Sequence, residues 1–175
     1  MKSDVIAIDN QGKGIDSAKE ETKRVAQFQG LDAKESLRLQ LCAEEMLSLA
    51  RSVTGEMEAS FWIESEGKNF ELHMTTQTVM DKTKRDLLIG ASTAQKNEAT
   101  NTFLGRIRDA FQEAMLSETD TYTYEPDMSP DDMVNRVIES EDWDQYEQSV
   151  LRSVADGIKV SIKGKTVDLT VVKAF

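Results

Sequence analysis

The stretch DAKESLRLQLCAEEMLSLARSVTG, residues 32–55, decides the fold of this chain. Asp32 can cap a helix because its carboxylate can accept a backbone N–H of the first turn, and Glu35 completes a capping box. Gly55 ends the helix, since glycine adopts the left-handed conformation without a Cβ clash. Apolar residues recur at helical spacing between these ends: Leu39, Cys42, Ala43, Met46, Ala50 and Val53. The stretch therefore predicts a long helix with one face buried against a sheet.

The length, net charge and composition of the chain limit the classes of function that it can have. The 175 residues fit one domain, 1–175, and carry a formal net charge of −11. Such an acidic chain is a poor binder of nucleic acid or anionic membranes, because both rely on lysine and arginine. The single cysteine, Cys42, and the single histidine, His73, exclude an internal disulfide and most metal sites. We therefore expect no metal site. We also expect a cytoplasmic protein, because no apolar run approaches a membrane span and the N-terminus lacks a signal-peptide core.

The segments around the long helix predict further strands and helices. Period-two alternation predicts one antiparallel hairpin from residues 58–64 and 68–76, and a second hairpin within 158–175. Weaker patterns predict a first strand, a first helix and a later helix at 5–8, 16–29 and 102–116. This order is typical of an α+β fold, a two-layer sandwich of a mainly antiparallel sheet with helices on one face.

Three shorter features have competing interpretations. The pattern Gly12-Lys13-Gly14 favours a turn, because a Walker phosphate loop needs a longer glycine loop followed by Lys-Ser or Lys-Thr. His73 falls on the polar face of its strand, where a solvated side chain is the simpler interpretation. The polar segment 77–101, which is locally basic through Lys82, Lys84 and Arg85, could form a mobile lid or a short helix.

Residues 117–156 hold 12 acidic residues against two arginines, and so carry nearly all of the net charge. Ser129-Pro130 begins a helix, and a second helix is predicted at 143–154, so the segment predicts an inserted acidic helical hairpin. It is either a solvated hairpin or a docking surface for a protein partner with a basic surface. Aromatic and acidic side chains are the candidate contacts on that surface: Tyr122, Tyr124, Asp131, Asp132 and Trp143.

This layout resembles the GHKL (histidine-kinase-like) ATPase fold, and within it the anti-sigma-factor serine kinases. The resemblance covers roughly 5–116 and 157–175. Family members carry Glu-x-x-x-Asn on the second long helix, where the Glu is the general base and the Asn holds Mg²⁺. Here Glu45 falls at the Glu, but Leu49 falls at the Asn and has no lone pair for a hard cation. Taking Glu44 as the base instead puts Ser48 at the metal position.

Two further motifs of the family are eroded. The resemblance places Thr76 at the Asp that accepts from the adenine amino group, and no glycine follows before Gly90. The glycine pair that opens the next helix below the phosphates retains only Gly105, with Phe103 at the first glycine. The resemblance thus implies a fold that is kept while its nucleotide site is lost.

The leading hypothesis is a non-catalytic GHKL-like regulatory protein that needs no cofactor, binds a protein partner and could form a homodimer. The alternative is a divergent serine/threonine kinase that binds ATP and Mg²⁺. It would use Glu45 as base, Ser48 or Gln77 as makeshift ligands, and the basic residues of 77–101 on the phosphates. An unrelated small-molecule-binding domain is a third possibility.

Overall fold

The structure, a computed structural model, describes residues 1–9, 11–54, 58–100 and 150–175. Gly55, the predicted helix at 102–116 and the acidic insertion up to residue 149 lie outside the described residues. The described elements follow in chain order: β1 (Ile6–Ile8), α1 (Ile15–Phe28), α2 (Ala33–Thr54), β2 (Ala59–Glu66), β3 (Asn69–Gln77), α3 (Lys82–Ala91), a 3₁₀ turn (Glu98–Thr100), β4 (Gly157–Lys163) and β5 (Thr166–Ala174). Residues 150–154 form a helical turn before β4.

Five antiparallel strands form one sheet in the order β1-β2-β3-β5-β4. β3 is the central strand, and its register places Met74 beside both Phe61 of β2 and Leu169 of β5. The two predicted hairpins are confirmed as β2–β3 and β4–β5, which turn at Gly67 and Gly164 with positive φ. The predicted α+β class and antiparallel sheet are therefore confirmed.

One face of the sheet carries the hydrophobic core. Alternate residues of every strand are buried on this face, including Phe61, Leu72 and Val171, and they belong to one apolar cluster with residues of all three described helices. The intervening residues of β2, β3, β4 and β5 are mostly polar and partly exposed. We call this second surface the polar face; its members include Glu64, Trp62, Glu71, His73, Thr75, Asp168, Thr170 and Lys159.

The capping box predicted for α2 is present. Asp32 Oδ1 accepts a hydrogen bond from the backbone N–H of Glu35 at 2.8 Å, and the Glu35 carboxylate accepts from the Asp32 N–H at 2.9 Å. Glu35 also pairs with Lys68 Nζ at 2.7 Å, in the turn between β2 and β3. The start of α2 is therefore anchored to one end of the central hairpin, which sets the direction in which the helix crosses the sheet.

The other helices lie close to their predicted positions. α1 begins and ends one residue earlier than the pattern indicated, and Gly30 follows it with φ of 72°. Within 77–101 the short-helix interpretation is confirmed by α3, whose first turn is capped by Asp81. None of the helices in the described ranges is long and apolar enough to cross a bilayer.

Residues 92–97 cover the outer edge of β4. Thr93 pairs with Ile158 in both directions: its N–H donates to the Ile158 carbonyl at 2.9 Å, and its hydroxyl accepts from the Ile158 N–H at 2.8 Å. The Asn97 side chain does the same for Ile162, at 2.8 Å to its N–H and 3.1 Å to its carbonyl. Arg152 donates to the Ser92 carbonyl at 3.0 Å and ties the cover to the turn before β4. Residues 92–97 thus occupy backbone N–H and carbonyl groups of the edge strand β4 that could otherwise pair with another chain.

We predict that Asn97→Ala lowers the free energy of unfolding by about 2 kcal/mol, because it leaves the buried N–H and carbonyl of Ile162 without partners. Asn97 is 3% exposed. Urea denaturation followed by far-UV circular dichroism measures the change. Asn69→Ala is the matched control, since the exposed Asn69 makes one long bond of 3.4 Å to the Glu66 carbonyl and should change stability by less than about 0.5 kcal/mol. Equal losses in both variants would contradict the assigned role.

Candidate functional site

A groove of about 990 Å³ lies at the end of the sheet where β1 leads into α1. Its walls come from β1, the loop before α1, the first turn of α1, the start of β2 and the end of β3. The size is that of a small-molecule site. Its described lining combines apolar residues of β1 with Lys13, Ser17, Glu58 and Gln77, and contains neither a histidine nor a cysteine. These residue types can bind a ligand through both polar and apolar contacts.

The loop that closes one side of the groove is built around Asp9. Its Oδ1 accepts from the backbone N–H groups of Gln11 at 3.0 Å and Lys13 at 2.9 Å, and its own N–H donates to the Lys13 carbonyl at 3.0 Å. Gly12 and Gly14 both have positive φ, of 83° and 97°. The Gly-Lys-Gly pattern therefore forms a tight turn into α1, as the sequence indicated.

Gly14 makes the closest approach in this loop. A Cβ built at this position would lie 2.2 Å from the carbonyl oxygen of Ala7 in β1, far inside van der Waals contact. Gly14 is also the N-cap residue of α1 and provides no side-chain hydrogen bond to the first turn. Glycine is thus required here by both the backbone angle and the packing of the loop on β1.

Thr76, the residue at the expected adenine-contacting position, lies in the wall of this groove. Its side chain is buried, with 2% exposed, and its hydroxyl donates to the Glu58 carbonyl at 3.0 Å. The hydroxyl hydrogen is therefore engaged within the protein, in a bond that joins the end of β3 to the start of β2.

The helical positions from the sequence do not join Thr76 at the groove. Leu49 is 0% exposed and belongs to the hydrophobic core, an inward position that the apolar stripe had not included. Glu45 and Ser48 are partly exposed, and neither lines the groove. Glu44, the alternative base, pairs with Lys19 of α1 at 2.7 Å. The motif positions are thus spread over the core, the helix surface and the groove.

Two of the three candidate basic residues of 77–101, Lys84 and Arg85, have structural roles in the described region. Lys84 Nζ donates to the Val79 carbonyl at 3.2 Å and lies 3.9 Å from the carboxylate of Asp81, so it holds the junction between β3 and α3. Arg85 is 4% exposed and forms part of the buried side of α3. Lys82 is exposed. Gly105 and the candidate partner contacts Tyr122, Tyr124, Asp131, Asp132 and Trp143 lie outside the described residues.

A second group of interacting side chains occupies the polar face, and the sequence analysis did not single it out. The Trp62 and His73 rings stack with centroids 5.0 Å apart and planes 11° from parallel. Trp62 Nε1 donates to Glu64 at 3.1 Å, and Lys2 pairs with the same Glu64 oxygen at 3.0 Å. The interpretation of His73 as a solvated side chain was wrong, because the indole covers the ring and leaves 17% of the side chain exposed.

Burial and pairing shift the pKa values of this group. Burial lowers the pKa of His73 below its usual value, and the nearby Glu64 and Glu71 carboxylates only partly oppose this. The hydrogen bond from Lys2, followed by that from Trp62, lowers the pKa of Glu64. Elsewhere, burial raises the pKa of the Cys42 thiol to about 11, which leaves this cysteine protonated and unreactive near neutral pH.

The described residues contain no group of three or more His, Cys, Asp or Glu side chains placed to hold a metal ion. Glu64, Glu71 and His73 approach one another on the polar face, but both carboxylates are also paired with lysines. This group is therefore organised by ion pairs within the chain.

We predict that Gly14→Ala destabilises the protein by at least about 2 kcal/mol more than Gly30→Ala, because the methyl group meets the Ala7 carbonyl. Gly30 is the matched control: its φ is also positive, but a Cβ there has nothing within 4 Å. Thermal and urea denaturation of the two variants measure the difference. Similar losses would mean that the backbone angle alone, and not the packing of the loop on β1, requires glycine.

Comparison of the sequence with protein-family models finds no match. Comparison with curated proteins finds none either. The fold and the geometry of the groove and of the polar face are therefore the observations from which function is argued.

Proposed function

We propose that this chain is a non-catalytic GHKL-like regulatory protein that acts by binding a protein partner, in the style of anti-sigma factors and partner-switching regulators. The described strand, two helices and first hairpin, and the final hairpin, follow the order on which the resemblance was based, and α3 lies in the segment 77–101 between them. In this proposal residues 1–175 are one domain, and 117–156 are an acidic helical insertion within it.

The burial of Leu49 is the main observation that supports a protein without catalytic activity. If α2 is the nucleotide-site helix, Leu49 stands where an oxygen ligand for Mg²⁺ is needed, and it is 0% exposed in the core. Mg²⁺ retains most of its water and takes oxygen ligands, so it cannot be held at a dry leucine. Phosphoryl transfer depends on that cation to neutralise developing charge.

Two further observations support the loss of nucleotide chemistry. Thr76 is a neutral residue where a carboxylate would accept from adenine, and its hydroxyl donates to Glu58. Two of the three basic residues that the kinase alternative could place on the phosphates have other contacts: Lys84 holds the junction between β3 and α3, and Arg85 is buried on α3. Of the residues that the kinase alternative could use, Gln77 lines the groove and Lys82 is exposed, whereas Lys84 and Arg85 would have to leave their present positions.

The partner in this proposal has a basic surface. The whole chain carries −11, and residues 117–156 hold 12 of its 32 acidic residues but two of its 21 basic ones. A surface of this composition attracts basic proteins and speeds their association at low salt. Tyrosine and tryptophan in the same segment are the residue types that most often dominate interface energy.

We predict that isothermal titration calorimetry with ATP and Mg²⁺ detects no saturable binding at up to about millimolar nucleotide, because Leu49 offers no oxygen to Mg²⁺ and Ser48 offers only one neutral oxygen. The full chain and Glu45→Ala are titrated in parallel. Micromolar binding by the wild type that Glu45→Ala abolishes would contradict the proposal and favour the kinase.

We also predict that reversing four charges in the acidic segment weakens partner capture. The variant carries Asp131→Lys, Asp132→Lys, Glu141→Lys and Asp142→Lys, which replaces attraction by repulsion toward a basic surface. A control variant carries Asp4→Lys, Glu20→Lys, Glu66→Lys and Asp86→Lys, which changes net charge equally at exposed sites. Pull-down from lysate of the source cells, quantified by mass spectrometry, compares both with wild type. The docking role is excluded if the two variants retain the same proteins as wild type.

A further inference from the structure

His73 lies in the middle of a row of side chains that crosses the polar face. The register places Trp62 of β2 opposite His73 of β3, Thr170 of β5 opposite His73 on its other side, and Lys159 of β4 opposite Thr170. The ring is therefore held between an indole and a threonine on adjacent strands, in the centre of the sheet and away from its ends.

The two ring nitrogens of His73 have different surroundings. Nδ1 lies 3.2 Å from the Thr170 hydroxyl, within hydrogen-bond distance. Nε2 is buried and has no hydrogen-bond partner, although Glu71 Oε2 lies 3.6 Å away. A buried nitrogen without a partner costs free energy. A small approach of the Glu71 carboxylate would remove that cost, provided that Nε2 carries a proton.

Charged groups from every neighbouring element face this ring. Glu64 of β2 is paired with Lys2 of the N-terminal segment, and Glu71 of β3 is paired with Lys159 of β4 at 3.2 Å. From β5, Thr170 faces Nδ1, and Asp168, two residues before it, accepts from the Thr75 hydroxyl at 2.9 Å. Two lysines thus balance two glutamates while the imidazole is neutral.

We propose that His73 is a pH switch on the polar face, in which protonation of the ring draws the Glu71 carboxylate from Lys159 to Nε2. The step transfers one proton from hydronium in the solvent to the ring nitrogen that lacks one, which leaves water, and no covalent bond of the protein breaks. Both nitrogens then donate: Nδ1–H to the Thr170 hydroxyl and Nε2–H to Glu71. Lys159 pairs with Oε1 of Glu71 and the ring faces Oε2, so the move of the carboxylate toward the ring weakens the pair with Lys159, and the face gains one positive charge.

The direction of the switch follows from burial. The indole keeps the ring neutral near pH 7, and burial holds the pKa of His73 below that of an unfolded histidine. The stabilisation of the neutral ring is therefore present above about pH 6.5. It is lost as the pH falls from there toward the lower folded-state value. The protonated state is reached at a lower pH than for an unfolded histidine, and its imidazolium stacks on Trp62 as a cation–π pair.

The titration of His73 can be followed without ambiguity, because it is the only histidine in the chain. We predict that proton NMR of the His73 ring in the full chain gives a midpoint below 6.5. Glu71→Gln should lower this midpoint further, because the protonated ring loses its acceptor. Lys159→Gln should raise it, because Glu71 is no longer held by the lysine. Lys163→Gln, an exposed lysine at the end of the same strand with no contact to Glu71, is the matched control and should leave the midpoint unchanged.

A second measurement reports the stacking directly. In a Trp143→Phe background Trp62 is the only tryptophan, and protonation of the stacked imidazole should quench its emission at the midpoint found by NMR. His73→Gln should abolish this pH dependence. The switch is overturned if Glu71→Gln and Lys159→Gln leave the midpoint where Lys163→Gln does, or if the Trp62 emission does not follow the His73 titration. Circular dichroism at each pH confirms that the variants remain folded.

Discussion

The packing of the apolar side of α2 on the sheet is the contact on which the rest of the structure depends. Met46, Leu49 and the other buried residues of this helix share one apolar cluster with the inward side chains of β2 to β5. The capping box at Asp32 and the pair between Glu35 and Lys68 fix where the helix starts relative to the central hairpin. The remaining turns of α2 then present their inward residues to the core, as 3.6-residue periodicity requires.

This constraint also bears on function. A position that must fill the core cannot at the same time hold a hydrated cation, and Leu49 fills the core. If α2 is the nucleotide-site helix, as we propose, the loss of this metal position is thus a consequence of how the helix packs on the sheet. The polar face is free of this constraint, which is why an ion-pair network centred on a histidine can be accommodated there.

Local patterns predicted most of the fold, because each depends on residues close in sequence. The capping box, the alternation of both hairpins and the glycine turns belong to this class, and the described residues confirm them. The apolar pattern did not predict that Leu49 is buried, because a helix with a wide buried face has no sharp boundary between buried and exposed positions. The stacking of Trp62 on His73 and the groove beside Thr76 depend on strand register and on how α1 meets β1, which distant residues determine. In the sequence, Trp62 and His73 are visible only as polar-face positions on the two strands of one hairpin. They lie opposite each other once the turn at Gly67 fixes the pairing of the strands.

The residues that cover β4 block one edge of the sheet. Thr93 and Asn97 occupy the backbone groups of Ile158 and Ile162, so another strand cannot be added there without removing the cover. Within the part of the chain that the structure describes, β1 is then the edge at which a strand from a second molecule could be added. Two copies joined through β1 would leave only covered edges outside, and such an assembly closes as a pair and cannot continue into a fibre.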